Sequence, residues 1–417
     1  MPSWPPSDSV TSNLAPPLGE VARAKRGTEG VSSPDDPALA DDAADLKSAY
    51  LHIPFCARRC PYCDFAVVTP SERTSPVARY VTALESEIVM EDPWGPLDAV
   101  NLGGGTPSTL QQHQLAALLK ALASHHTVAT GAEISLEANP EDWTDEYAVQ
   151  LVAAGFTRVS FGIQSFDPAV LASLGRQHTP EHAAVVVDVA RRAGVASVSL
   201  DLMYGAPGES EDSWRQTVER ALDLGPDHLS GYALTVEPGT ELSRMVLAGG
   251  SAPDPDIQAD RFYVLAAAAA EAGLIRYEVS NWAKPGHHCR YNLATWAGAE
   301  FVGFGLGAHD HRDIRRSRNH RRLDRYLESI ERGERPRLGS EALDPWGREQ
   351  ERVMLGLRRV AGVVTGGAGT ALLSSAEGGR LVAAGVLERD GDRIRVLDPM
   401  LTDAAARAVL SVSEGDC

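Results

Sequence analysis

HIPFCARRCPYCDF, residues 52–65, places Cys56, Cys60 and Cys63 in the spacing C-x3-C-x2-C, three of the chain's five cysteines. A disulfide knot, a structural zinc site, an iron–sulfur cluster and inert thiols are the readings open to such a set. Structural zinc takes four ligands, usually as two Cys/His pairs, so these three would need His52 or a distant residue as the fourth. Three thiolates with no fourth nearby suit a [4Fe–4S] cluster better, because the iron left without a protein ligand can hold a substrate or cofactor.

The rest of the composition narrows the choice. The chain has 417 residues, 43% hydrophobic and 23% charged, which is expected to give one large domain and a smaller one. The start, MPSWPPSDSVTSNLAPPLGEV, lacks the basic residues and apolar core of a signal peptide. A cytoplasmic location is therefore expected, where crowded cysteines more often bind metal than form disulfides. Runs such as VLAAAAAEAGL (264–274) are too short and Ala-rich to span a bilayer. A net charge of −18 argues against wholesale attraction to nucleic acid or anionic membranes. RDIRRSRNHRRLDR (312–325) is a local exception with seven arginines. It reads as the approach to a helix with a solvated face, or else as a site for substrate carboxylates or another anionic partner.

Residues 1–45 are rich in Pro, Ser, Ala and Asp and read as a disordered leader. From Tyr50 onward, six apolar β-rich runs (49–55, 99–106, 133–140, 158–165, 197–205, 228–235) alternate with Ala/Leu/Val-rich helical stretches. Six βα units in succession predict a parallel sheet within 46–240, open or closed into a partial barrel. The cysteines, GGGTP, Glu137, Gln164 and Asp201 fall at the C-terminal ends of successive strands, where parallel α/β folds assemble their sites. Residues 241–344 read as an irregular extension of the core. From 345 to 417 the pattern is helix, helix, a hairpin around Asp390-Gly391 and a last helix, a small helical or winged-helix-like domain.

The cysteine spacing directly after a first strand, followed by GGGTPS (103–108) at the end of the second, resembles the radical S-adenosylmethionine (SAM) superfamily. That resemblance implies a partial (β/α)6 barrel with a [4Fe–4S] cluster on Cys56, Cys60 and Cys63 that binds SAM through its open iron. HIPFC, CPYCDF, SFGIQSF (160–166), LGRQH (174–178), DLMYGAPGE (201–209) and GYALTVEPGT (231–240) are similar to the branch containing oxygen-independent coproporphyrinogen III dehydrogenase and the heme chaperone family HemW. By position, the branch's SAM contacts carry over to Tyr50, Tyr62, Gly104, Gly105, Thr106, Glu137, Gln164, Arg176 and Asp201. Arg176 would pair with the methionyl carboxylate, Glu137 and Asp201 would accept from the ammonium or ribose hydroxyls, and Tyr62 would cover the adenine. Taken singly, Tyr50 and Tyr62 are as readily core aromatics, and Glu137, Gln164 and Asp201 are more often caps or turn groups; their joint placement favours the site.

Within the branch, the dehydrogenase pattern ends C-x2-C-x-C. Phe65 stands where its fourth cysteine would be, and the chaperone pattern has Phe there. The low-complexity leader also has no amphipathic stretch to serve as the long segment that the dehydrogenase folds over its site. CRYNLATW (289–296) resembles the chaperone's H-N-x-x-Y-W, with Asn292 and Trp296 kept, Tyr291 in place of the His and Thr295 in place of the Tyr. Tyrosine can ligate ferric heme, so Tyr291 and His309 are the heme candidates, with a packed aromatic and a turn histidine as the plainer readings. His287, His288 and Cys289 are weaker ones, and Cys417 reads as a free thiol. The resemblance implies heme as cargo, heme-acceptor proteins that include membrane-bound ones, an electron donor for the cluster, optionally a second copy of the chain, and no nucleic acid. The alternatives are the dehydrogenase itself, an enzyme turning two propionates into vinyls, and a transfer-RNA-modifying radical enzyme, which the acidic charge disfavours.

Overall fold

The computed structural model describes residues 41–69 and 76–416. Most of the leader, and Cys417, lie outside the described residues.

Six strands and their helices follow one another: β1 (Ser48–Ile53), α1 (Val77–Met90), β2 (Leu97–Gly104), α2 (Gln112–His125), β3 (Val128–Ala138), α3 (Asp145–Ala153), β4 (Arg158–Gln164), α4 (Pro168–Ser173), α5 (Pro180–Ala193), β5 (Ser197–Tyr204), α6 (Glu211–Asp223) and β6 (His228–Ala233). The strands pair in parallel in chain order. Helix starts are marked by side chains that accept the first free N–H groups, as Thr144 does from Tyr147 and Asp167 from Ala169 ahead of Pro168. Helix α5 stops at Gly194, whose φ of 89° a residue with a Cβ adopts only at a cost.

The sheet separates its two faces by strict alternation. Leu51, Ile53, Val100, Leu102, Leu136, Val159, Phe161, Val198, Leu200 and Leu229 are buried outward in the main hydrophobic core, beneath the helices. The inward positions are polar and lie in register: Tyr50, Asn101, Ser135, Arg158 and Ser197 form one row, and Gly162, Asp201 and Ser230 another. Neighbours in these rows bond each other, Ser135 to Asn101 at 2.8 Å and Arg158 to Ser197 at 3.0 Å. The barrel interior is therefore a polar lumen.

The stretch 241–344, irregular as a sequence, widens this sheet. After α7 (Glu241–Leu247) and α8 (Pro255–Glu271) come β7 (Ile275–Arg276), β8 (Asn281–Ala283), α9 (Arg290–Trp296), β9 (Phe301–Phe304), β10 (His309–Arg312), β11 (Arg315–Asn319), α10 (Leu323–Glu331) and β12 (Arg337–Ala342). Strand β9 adds in parallel to the free side of β1, and β10, β11 and β12 continue it antiparallel, while β8 and β7 extend beyond β6. The arginine run is thus a hairpin, and the expected helix begins only at Leu323. Arg312 reaches Glu91, and Arg316 reaches Glu341 and Glu351. Asp41–Ala44 form a 3-10 turn, and Ala43 is buried with Tyr277, Ala283 and Leu293, so the fold takes in residues that composition assigns to the leader.

The tail comprises α11 (Pro345–Gly356), β13 (Val363–Val364), α12 (Gly366–Ser374), α13 (Ala376–Ala383), the hairpin β14 (Leu387–Asp390) and β15 (Arg393–Val396), and α14 (Thr402–Ser411). It has its own core around Val353, Leu372, Leu381, Ile394 and Val409, and its element order is that of a winged helix. No helix among the described residues is long and apolar enough to cross a membrane.

One buried carboxylate joins the widened edge to the barrel. Glu87 of α1 accepts from the backbone N–H of Gly305 (2.7 Å), from Asn319 (2.6 Å) and from the Tyr326 hydroxyl (2.6 Å). Burial pushes its carboxyl up to about 7 against the pull of those donors. Beside it, Tyr80 donates to the His52 carbonyl and accepts from Leu306 N–H. Glu87→Ala strips three buried donors of their acceptor, and is expected to lower the unfolding free energy by about 2–4 kcal/mol in urea titration; an unchanged midpoint would remove the network from the fold's supports.

Candidate functional site at the barrel mouth

The segment between β1 and α1 is laid back across the ends of β1 and β2. Val68 N–H bonds the Pro54 carbonyl and Cys56 N–H the Val68 carbonyl, while Gly105 and Thr106 donate to Ile53 and Phe55. Arg59 reaches the carbonyls of Phe65 and Val67. His52 Nε2 lies 2.9 Å from the Ala66 carbonyl, which can only accept, so Nε2 carries the proton and Nδ1 is left to accept from the Tyr50 hydroxyl at 3.1 Å. Burial holds the His52 ring down to about 4, uncharged at neutral pH. Leu242 N–H of α7 bonds the Pro61 carbonyl from the other side.

The glycine run is where backbone and side chain come too close for anything larger. A Cβ on Gly104, whose φ is +111°, would sit 2.4 Å from the His52 ring; one on Gly105 would meet the Pro54 backbone at 2.7 Å, and one on Gly103 the Glu137 carboxylate at 2.5 Å. Gly104 N–H instead donates to Glu137 at 3.2 Å.

Cys56, Cys60 and Cys63 are free thiols, each partly accessible. Burial pushes Cys56 up to about 11 and raises Cys63, and each responds to the charge of its neighbours. Among the described residues no set of three ligands converges on a single metal ion. Three thiols with no fourth protein ligand suit a cubane, in which each thiolate takes a different iron and one iron stays open. Cys289 is only 7% exposed and lies near Glu133 and Arg158 at the strands' opposite end. It is no candidate for the same cluster.

Around the cysteine loop, a chain of polar groups links the strand ends. Asn139 donates to Thr106 Oγ1 at 3.3 Å and accepts from Arg176 at 2.6 Å; the same guanidinium bonds the Gly162 carbonyl at 2.7 Å. Arg176 Nε is buried with no partner among the described residues. Gln164 holds a left-handed φ of 63°, strain on the order of 1–3 kcal/mol that sits at the β4 bulge opposite β5. Asp201 accepts from Ser160 at 2.8 Å. Burial raises Asp201, and burial with the Asp201 charge brings Glu137 up to about 7. Tyr62 packs on Val170, Leu174 and Leu242, within electrostatic reach of Cys60 and Arg176.

Tyr50, Tyr62, Gly104, Gly105, Thr106, Glu137, Gln164, Arg176 and Asp201 are thus gathered at and just below one mouth. Tyr291 and His309 are not together. Tyr291, on α9, stacks on Tyr50 with ring centroids 6.0 Å apart and meets the edge of Phe301. Its helix closes the lumen floor, where the 3% exposed Arg158 holds the His287 carbonyl and Glu133 accepts from Arg290 N–H. Burial raises the Tyr291 phenol, which disfavours the phenolate a ferric iron would require. His309 is exposed at the start of β10. Sequence reading missed Asn139, whose only signal was its place at the end of EISLEANP, and the double tie made by His52.

The radical SAM superfamily signature matches residues 50–221. The chain is 40% identical over 384 residues to the heme chaperone HemW of Mycobacterium tuberculosis, covering 90% of this chain and 97% of that one. It is 34% identical to the Bacillus subtilis HemW over 76% of this chain and 85% of that one. Among solved structures, the radical SAM enzyme coproporphyrinogen III oxidase (HemN) of Escherichia coli superposes with a TM-score of 0.75 over 90% of this chain and 92% of that one, at 22% identity, a likeness of fold. With the cysteine loop, the glycine cradle and the polar lumen in place, this chain belongs to the radical SAM superfamily and, within it, to the HemW heme chaperone family.

Proposed function

We propose that the protein binds heme and passes it to acceptor proteins, with the radical SAM site as its resident cofactor centre. The observation that carries this reading is the likeness to HemW along nearly the whole length of the relative, together with Phe65, rather than a cysteine, two places after Cys63. Cys56, Cys60 and Cys63 would hold the [4Fe–4S] cluster, which supplies one-electron chemistry and a coordination site for SAM when bound.

The surrounding residues have separable tasks. Arg176, pinned by Asn139 and Gly162, presents its remaining donors to a carboxylate. Glu137 and Asp201 offer buried negative charge to an ammonium group or ribose hydroxyls, and the bare backbone of Gly104 and Gly105 lets a ligand lie against the strand ends. Thr106 donates toward Cys56 Sγ at 3.5 Å, and Tyr50, Tyr62 and Gln164 complete the wall. An electron donor for the cluster, acceptors that include membrane-bound ones, a cytoplasmic location and a second copy of the chain belong to this reading through the family.

The deciding experiment titrates the cluster-reconstituted protein anaerobically with hemin, beside an assay of coproporphyrinogen III decarboxylation. Saturable binding without decarboxylation is expected; turnover with no heme binding would make the chain a dehydrogenase. The cofactor site has its own checks. SAM carries positive charge, so a proton on Glu137 competes with it: affinity should fall as pH drops below about 7, by up to about tenfold per pH unit, and the slope should flatten in Glu137→Gln. Arg176→Ala should weaken SAM by about 1.5–3 kcal/mol with the cluster spectrum intact; equal affinity would take Arg176 out of the site.

A further inference from the structure

Beside the cysteine loop, the surface carries three groups that the cofactor site does not use. Phe65 is 59% exposed, although its backbone is fixed by Arg59 on its own carbonyl and by His52 on the next. Phe65 therefore offers a fixed apolar ring at the surface. The turn 305–308 packs directly against this loop: a Cβ on Gly307 would lie 3.0 Å from Ala66 Cβ and 3.3 Å from Arg321 Cγ. Two residues beyond Gly307, His309 presents an exposed imidazole. Arg321 donates to the Asp64 carbonyl. Of the seven arginines in 312–325, Arg312, Arg316, Arg322 and Arg325 have carboxylate partners, whereas Arg321 has none among the described residues.

We infer that this rim is the docking site of the heme: Phe65 lies against the macrocycle, His309 supplies the axial nitrogen and Arg321 pairs with a propionate. The inference rests on the heme-carrier reading and deepens it. Each residue answers one part of the ligand, an apolar plane, a metal that favours imidazole and a carboxylate tail. The contacts support the match, because Arg321, just past the β11 strand that pairs with β10, bonds the Asp64 carbonyl in the loop carrying Phe65 and lies within electrostatic reach of His309. Partial burial and the charges of Arg318 and Arg321 lower the His309 pKa, keeping the ring neutral and able to ligate. Tyr291, which stands at the expected histidine of the family pattern, is stacked beneath Tyr50 on the floor of the lumen, away from this rim. On this assignment the iron is held from the start of β10 and not from the floor helix α9.

The test titrates full-length, cluster-reconstituted protein with hemin and with hemin dimethyl ester, read by Soret absorption, resonance Raman and electron paramagnetic resonance. His309→Ala is expected to lose the imidazole-ligand signature and weaken hemin at least tenfold, while SAM binding and the cluster spectrum report an intact fold. Phe65→Ser should weaken hemin and its ester alike, by several fold. Arg321→Ala should abolish a preference for hemin over the ester. Tyr291→Phe should leave the heme spectrum unchanged. A wild-type spectrum and affinity in His309→Ala, or loss of the signature in Tyr291→Phe, overturns the assignment while leaving heme carriage standing. No hemin binding by the unsubstituted protein overturns both.

Discussion

The constraint on which the site depends is the close contact between the glycines at the end of β2 and the last residues of β1 with Pro54 behind them. Gly104 lies against the His52 ring and Gly105 against the Pro54 backbone, at separations that exclude even a methyl group. Only because these positions are bare can Gly105 and Thr106 donate to Ile53 and Phe55 and register the cysteine loop on the strand ends. His52 then works in two directions, fixing the loop through Ala66 and orienting Tyr50 in the lumen. The placement of the cysteine loop on the strand ends, and with it of the three thiols and of Phe65, follows from this packing.

Much of the barrel was legible because its strands alternate so cleanly. Leu51 and Ile53 face the helices while Tyr50 and His52 face the lumen, and the same two-residue period runs through β2 to β6. Polar side chains gathered at strand ends have little to do in a core, so a site was the economical reading of Glu137, Gln164 and Asp201. Asn139 was harder, since an asparagine before a proline is ordinary turn chemistry. Its role appears only when Arg176, 37 residues later, arrives beside it.

The extension was opaque for a different reason. Strands β7 to β11 have two to five residues each, too few for a period to be visible. RRSRN in β11 carries no hydrophobic signal at all; its Arg316 pairs with Glu341 and Glu351, and in neighbouring β10 Arg312 meets Glu91, 221 residues earlier. Burial of this kind is tolerable when each charge is paired and hydrogen-bonded, and no local pattern announces it. Likewise, the packed-aromatic reading of Tyr291 finds its partner only in the fold, where the ring stacks on Tyr50.

The added strands also change what an incomplete barrel exposes. A sheet that does not close ends in two rows of unpaired amides and carbonyls, which other chains can extend into aggregates. Here those ends are not β1 and β6, at the sides of the cofactor site, but β12 and β7. Strand β7 is two residues long, and β12, RLGSEA, carries Arg337 and Glu341 in ion pairs across to its neighbours. The irregular extension thus acts as a selvedge: it finishes the cloth of the sheet, and lets the mouth stay open to a large ligand without offering a raw edge to another polypeptide.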